Sequence, residues 1–268
     1  MFLLRRVLYY LASLFTLVRG VRNWPSLIRL INPGPDGVIL TLRDGSRYAV
    51  RSMMEAWIVK ETCLDRNYER YGAAIRDGWT VVDIGAGPGE FAVFTARRAP
   101  NSRIFAYEPA PDSAALLEKN LKLNQVRNVE VHAHAVSDKD GFLMLDLSSG
   151  VTTQCGEATG ARGTGKRIMV RCLALADVLS GLPGGVCHYL KMDCEGAEYG
   201  MLLNLDQDAL ARVRRICLEY HEYAAPHSRE DLVQLFQRRG WRVRLSPSKV
   251  RRELGFLYAV APSDRQVD

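Results

Sequence analysis

No two of the six cysteines, Cys63, Cys155, Cys172, Cys187, Cys194 and Cys217, form a Cys-x-x-Cys pair. That excludes dithiol redox and zinc-ribbon spacings and leaves reduced thiols, mostly small core residues, in a cytoplasmic compartment. A purely basic tail is also missing. The formal charge of +6 and pI near 9.0 permit anionic partners, but thirty acidic residues are spread through the chain, so nucleic acid is not an expected partner. The uncharged run Val7–Val18, between Arg5, Arg6 and Arg19, Arg22, is shorter than the roughly 20 apolar residues of a spanning helix, and no cleavage site follows it. Residue 225 is alanine, so His221-Glu222 does not extend to a His-Glu-x-x-His zinc motif. No internal repeat is visible. What remains is an ordinary composition, 47% hydrophobic and 25% charged over 268 residues, enough for one large α/β domain and tight for two.

Four stretches divide the chain. Residues 1–36 read as an amphipathic helical segment with Leu4, Leu8, Leu11, Phe15 and Val18 on one face. Flanking arginines suit contact of residues 1–22 with an anionic membrane surface, at the inner face of the membrane; docking on the protein's own core or on a second subunit is the other reading. Residues 37–78 are a lead-in, a hairpin around Asp44-Gly45 followed by a helix over Glu55–Arg76. From residue 79 to 262 strand and helix alternate: strands at Thr80–Ile84, Arg103–Tyr107 and Val129–Ala133, helices at Glu90–Arg98 and Asp112–Asn124, later strands at His188–Met192, Arg215–Glu219, Trp241–Arg244 and Gly255–Val260. Such alternation predicts a mostly parallel sheet with helices on both faces, closed by a hairpin with an antiparallel edge strand. Residues 263–268 are a tail.

The densest signal is Val81–Phe91, VVDIGAGPGEF. Glycines after a first strand let a ligand approach the backbone at a helix amino terminus, which serves dinucleotides and S-adenosylmethionine alike. A dinucleotide fingerprint wants glycine or alanine three places after its second glycine; here that place is Glu90, whose carboxylate would face a pyrophosphate. A nicotinamide oxidoreductase is disfavoured on that ground. An acid suits instead the ammonium of an amino-acid tail. Glu108, in FAYEP about 20 residues further on, is placed for both ribose hydroxyls.

Asp83–Phe91, FAYEPAPDSAALLEKNLKLN, AVSDKDG at Ala135–Gly141 and LKMDCEGAE at Leu190–Glu198 together resemble the FkbM family of S-adenosylmethionine-dependent methyltransferases. The likeness runs roughly from residue 55 to 222. It implies a class I methyltransferase, Rossmann-like fold, seven strands with the last antiparallel, and O-methylation, commonly of sugar hydroxyls in bacterial glycans and glycosylated natural products. Pro88 departs from members that carry asparagine there or nearby, so a different loop shape is expected. The residues expected around the cofactor are Asp83, Gly85, Ala86, Gly87, Gly89, Glu90, Phe91, Glu108, Pro109, His134, Ala135 and Asp193.

Methyl transfer needs an acceptor oxygen held in line and a group to take its proton. Asp193, directly after a parallel strand, is the first candidate, with Glu195 next and Lys191 as a pairing cation; Glu195 and Glu198 would also suit the first turn of a helix with no catalytic duty. His221 is a second base candidate, equally readable as a satisfied strand-end histidine. No metal is required, but Asp193 and Glu219 at neighbouring strand ends could share a divalent ion. His132 and His134 read as structural. Residues 148–167, polar and glycine-rich between strands Phe142–Leu147 and Ile168–Leu173, read as a substrate lid or simple disorder. Arginines between Arg212 and Arg252 could meet the phosphate of a nucleotide sugar or lipid-linked saccharide, or only solvent. The expectation is an O-methyltransferase acting on a sugar-bearing small molecule or lipid-linked acceptor. A non-sugar acceptor and a membrane-associated protein with the fold but no turnover are the alternatives.

Overall fold

The computed structural model describes residues 2–32, 34, 37–146, 167–224, 226–248, 250–251 and 253–264. Most of the expected lid, with Cys155, lies outside the described residues.

The elements before the sheet are α1 (Phe2–Gly20), a 3₁₀ turn at Trp24–Leu30, the antiparallel pair β1 (Val38–Thr41) and β2 (Arg47–Val50), and α2 (Met53–Val59). Ser52 caps α2 by accepting from the Glu55 N–H, which satisfies one of the free donors of the first turn. The single helix expected over Glu55–Arg76 is broken instead. After α2 the backbone widens into π turns at Lys60–Leu64 and Tyr68–Gly72, separated by Arg66 at φ 57°, and Ala73 is extended. The cause is tertiary: Tyr68 is drawn inward between Phe91 and Phe256, with ring centroids 5.1 and 5.5 Å away.

The core follows as β3 (Thr80–Ile84), α3 (Glu90–Arg98), β4 (Arg103–Tyr107), α4 (Pro111–Leu123), β5 (Val129–His132), β6 (Ala135–Ser137), β7 (Gly141–Asp146), β8 (Arg167–Ala174), α5 (Leu175–Ser180), β9 (Tyr189–Met192), α6 (Ala197–Leu203), α7 (Gln207–Ala211), β10 (Arg215–His221), α8 (Arg229–Arg238), β11 (Arg242–Pro247) and β12 (Leu254–Val260). The main sheet has seven strands in the order β11-β12-β10-β9-β3-β4-β5. β12 runs antiparallel to both its neighbours, while the β10-β9, β9-β3, β3-β4 and β4-β5 pairs are parallel. The last strand, β12, is antiparallel as expected, but it lies inboard instead of at the edge, which β11 forms. Leu257, Ala259 and Val260 are buried, as a strand bonded on both sides requires, whereas β11 alternates exposed and half-buried residues.

Alternation along the strands sorts side chains into two layers. Val82, Leu190, Ile216 and Leu218 join the layer covered by α5, α6, α7 and α8. Val81, Tyr189 and Cys217 face the other layer, with Phe91, Ala92 and Leu117 of α3 and α4 and with Leu17, Val21, Leu27 and Leu30 of the amino-terminal segment. The amino-terminal segment thus joins the core through Leu17, Val21, Leu27 and Leu30; burying Leu17 and Val21 contributes about 1.5–3 kcal/mol each. Strands β6, β8 and β7 form a separate small sheet, with Leu143 and Leu145 facing the same cavity as the ends of the main strands.

Candidate active site

The glycine loop leaves β3 at Gly85 and enters α3 at Gly89. Gly85 has φ 73°, and a Cβ there would stand 1.9 Å from the Asp193 carbonyl oxygen; Gly89 has φ 83°, and its Cβ would meet Leu117. These two positions admit only glycine, the first because β9 passes so close, the second because α4 does. Pro88 leaves the loop its glycine geometry, and its carbonyl accepts from Asn120 Nδ2 at 2.8 Å. Asn120 is fully buried on α4 and also exchanges hydrogen bonds with the Ala49 backbone, at 2.7 and 3.2 Å, so one amide ties the loop to β2.

Glu108 directly follows β4, beneath this loop. Its carboxylate accepts from the Gly87 N–H at 2.8 Å and the Ala110 N–H at 2.9 Å, and burial pushes its pKa up to about 7 against those bonds. Glu90 is likewise raised to about 7 by burial, with nearby Lys191 working the other way. Its Oε2 is buried and accepts no hydrogen bond, although Glu90 lines the cavity.

That cavity, of about 540 Å³, opens at the carboxyl ends of β3, β4, β9 and β10, where parallel α/β sheets bind ligands. Of the residues expected at the cofactor, Gly85, Gly87, Glu90, Glu108, Pro109, His134, Ala135 and Asp193 line it. Asp83, Ala86, Gly89 and Phe91 do not. Phe91 is a core residue packed on Tyr68 and Tyr189. Asp83 lies one layer down, opposite Lys191 in the β3–β9 register, and the two pair at 2.9 Å. Lys191 donates its other contact to the Gly85 carbonyl at 2.6 Å. Lys191 does not line the cavity; burial opposes its charge, but Asp83, Asp193 and Glu90 hold its pKa above the ordinary lysine value, so it stays a cation behind the loop. Its ion-pair partner is Asp83 rather than Asp193, Glu195 or Glu198.

The opposite wall gathers Asp193, Glu195, Glu219 and His221. Tyr68 donates to Asp193 Oδ2 at 3.0 Å across a sequence separation of 125. His221, the last residue of β10, directs Nε2 to 3.8 Å from Asp193 Oδ1 and 3.7 Å from Glu195 Oε2. Its Nδ1 lies 3.0 Å from Glu198 Oε1, which also accepts the His221 backbone N–H. Burial works against charge on His221, but the Glu198 hydrogen bond and the charges of Glu198, Asp193 and Glu219 push its pKa up to about 10. Burial, then Asp193, holds the Glu219 carboxyl well above its usual range. Asp193, Glu219 and His221 each offer a ligand atom within 4.8 Å of the others. The sequence reading missed Tyr68 and did not see Glu198 as the partner of His221. It also missed Tyr9, Tyr10 and Tyr223, which line the cavity from α1 and from beyond β10; nothing near them in sequence marks them.

A seven-stranded sheet of this order, with a glycine loop after its first parallel strand, β3, and an acid just after the next, β4, defines a class I methyltransferase. The family model described as "Methyltransferase FkbM domain" matches residues 83–243, and the chain belongs to that family of S-adenosylmethionine-dependent methyltransferases. It is 27% identical to the 31-O-demethyl-FK506 methyltransferase FkbM of Streptomyces tacrolimicus over 69% of this chain and 83% of that one. It is 29% identical over 75% of its length to the AMB antimetabolite synthetase AmbE of Pseudomonas aeruginosa, of which it spans only 11%. Among solved structures, a precorrin-6y C5,15-methyltransferase from Geobacter metallireducens aligns at TM-score 0.42 and 19% identity, over 70% of this chain and 81% of that one.

The residues fit S-adenosylmethionine. The unpartnered buried Oε2 of Glu90 suits the ammonium of its amino-acid tail, Gly87 lacks a Cβ where the cavity floor is open, and Glu108 sits where ribose hydroxyls can donate.

Proposed function

We propose that the protein methylates a hydroxyl of a sugar, in a glycan, glycolipid or glycosylated metabolite, with Asp193 taking the acceptor proton. The bound cofactor supplies a methyl group on a sulfonium, whose displacement leaves a neutral thioether. Gly85, Gly87, Glu90 and Glu108 would hold it, and Lys191 keeps the loop in shape from behind. Asp193 stands at the strand end between loop and carboxylate wall, its backbone N–H bonded to the Ile84 carbonyl at 3.0 Å and its carboxylate aimed by Tyr68. His221, held charged by Glu198, stabilises the Asp193 carboxylate rather than competing for the proton. The observation that carries the sugar reading is the wall itself. Asp193, Glu195 and Glu219 present several hydrogen-bond acceptors to one small volume, which suits a molecule with several hydroxyl donors. The FkbM relative, by its name, methylates an oxygen.

The test is methyl incorporation from labelled S-adenosylmethionine into polyhydroxylated acceptors against their deoxy analogues. Preferential labelling of the deoxy compounds or of amines defeats the sugar reading, and binding of S-adenosylhomocysteine without turnover on any acceptor would support a protein with the fold alone. A second reading is favoured by the Asp193, Glu219, His221 cluster. Asp193, Glu219 and His221 would hold a divalent ion there, which would supply Lewis-acid charge beside the acceptor hydroxyls. Glu198 on Nδ1 would then orient the imidazole for a ligand at Nε2. Activity abolished by EDTA and restored by magnesium selects that version; activity indifferent to EDTA removes it.

A further inference from the structure

We infer that residues 7–31 form a docking face for an anionic bilayer beside the mouth of the pocket, so that the acceptor is a membrane-anchored molecule; the acceptor half of this rests on the methyl-transfer reading above. The amino-terminal helix has two unlike faces. Inward, Ser13 and Leu17 of α1 and the following Val21 are buried; Ser13 Oγ accepts from the buried Lys60 ammonium at 2.8 Å, and Tyr9 donates to Glu61 at 2.7 Å. The helix is therefore fixed to the core and cannot turn its outer face inward. Outward, Leu8, Leu11, Leu14, Phe15 and Val18 are 41–64% exposed. The 3₁₀ turn repeats the arrangement, with Leu27 and Leu30 buried and Ile28 and Ile31 62% and 78% exposed.

Of the sixteen large apolar side chains exposed among the described residues, ten lie between residues 7 and 31. Scattered exposed apolar residues need no explanation, but this concentration marks a contact surface. Charge selects the occupant. Residues 1–35 contain five of the chain's 36 basic residues and none of its 30 acidic ones, so this stretch carries +5 of the formal +6. Arginines among exposed leucine, isoleucine and aromatic side chains match an anionic headgroup layer over acyl chains. A second copy across a two-fold axis would set the same arginines against each other. No helix among the described residues is long and apolar enough to cross a membrane, so α1 lies in the interface plane. Tyr9 and Tyr10 of this helix line the pocket, and Tyr10 and neighbouring Met54 are each 44% exposed at its rim. An acceptor anchored in the bilayer would reach Asp193 past them.

The experiment is sedimentation of the full chain with vesicles of phosphatidylglycerol and phosphatidylcholine, or of phosphatidylcholine alone. Partition should need phosphatidylglycerol and weaken with salt. Leu11→Glu/Phe15→Glu, at exposed positions outside the pocket, should lower it by about tenfold or more, and Arg29→Gln by about fivefold. S-adenosylhomocysteine binding by calorimetry should be unchanged in both. With methyl-labelled cofactor and a crude cell extract, label should enter the membrane fraction. Wild-type protein left in the supernatant, or a double variant that sediments like wild type, overturns the docking face. A wild-type dimer that the double variant converts to monomer gives the face to a second copy instead. Label confined to the soluble fraction overturns the anchored acceptor. Failure of wild type to bind S-adenosylhomocysteine sinks the methyl-transfer reading separately, because vesicle partition is read without it.

Discussion

The two walls of the pocket are built in different ways. The glycine-loop wall takes Gly85, Glu90 and Glu108 from one continuous stretch, β3 through the start of α4, tied within itself by the Gly85 N–H on the Tyr107 carbonyl and by the Glu108 carboxylate on Gly87 and Ala110, and braced from outside by Lys191 and Asn120. The carboxylate wall is assembled from afar: Tyr68 comes from the broken lead-in, Asp193 and Glu195 from beyond β9, Glu219 and His221 from β10, and Tyr223 from the turn after it. A wall built locally can specify a constant ligand. One built from several elements can change with any of them.

The largest expected effect falls on the second wall alone. Asp193→Asn should lower turnover by about 10²–10⁴-fold while calorimetry shows S-adenosylhomocysteine affinity little changed; if both fall together, the walls are not separable. Next, Glu108→Ala should weaken S-adenosylhomocysteine by about ten- to a hundredfold, the size of a lost hydrogen bond to a charged group. Saturating cofactor should then restore most of the turnover. A variant with wild-type affinity would take Glu108 out of the site.

A smaller effect is its pH dependence. In the unliganded protein Glu108 is raised from 4.5 to about 7 by burial. Its contribution to stability is present below the unfolded value and lost as pH rises through about 7, since the folded state holds the proton longer. Ribose hydroxyls donate to the ionised form, so affinity for S-adenosylhomocysteine should climb across that pH. Glu108→Gln should flatten the rise, and an equally steep rise in the variant would assign the titration elsewhere. Smallest for the chemistry is Asn120→Ala. Loss of its three bonds should cost about 2–3 kcal/mol in denaturant unfolding with turnover per folded molecule retained; a collapse of turnover instead would show that the loop depends on β2 for its working shape.

The same division decides what could be read in the sequence. Strand and helix limits from Thr80 to Leu123 follow from alternation and from the glycine and proline punctuation, because those signals act within a few residues. Glu90 and Glu108 were legible for that reason. Phe91 and Lys191 were misplaced because sequence gives their position along the strand and helix but not which side of the loop they occupy. Tyr68 could not be found, since its helix breaks at Arg66 only when the ring enters the core between Phe91 and Phe256. Glu198 looked like an ordinary first-turn acid, and only the fold brings it onto His221. The inboard place of β12 was hidden for the same reason: a hairpin fixes which strands pair, not which of them meets the rest of the sheet.

That inboard strand sets an order of assembly. On the side away from β9, β10 is paired by β12 over its whole length, from Arg215 with Val260 to His221 with Leu254. During synthesis the loop wall has every partner it needs within the sheet once β9 has emerged, but the strand that carries Glu219 and His221 keeps an open edge until residue 260 has left the ribosome. The loop wall can therefore complete its strand pairing before the carboxylate wall does, and a nascent chain stalled short of β12 would leave Glu219 and His221 on an unpaired edge.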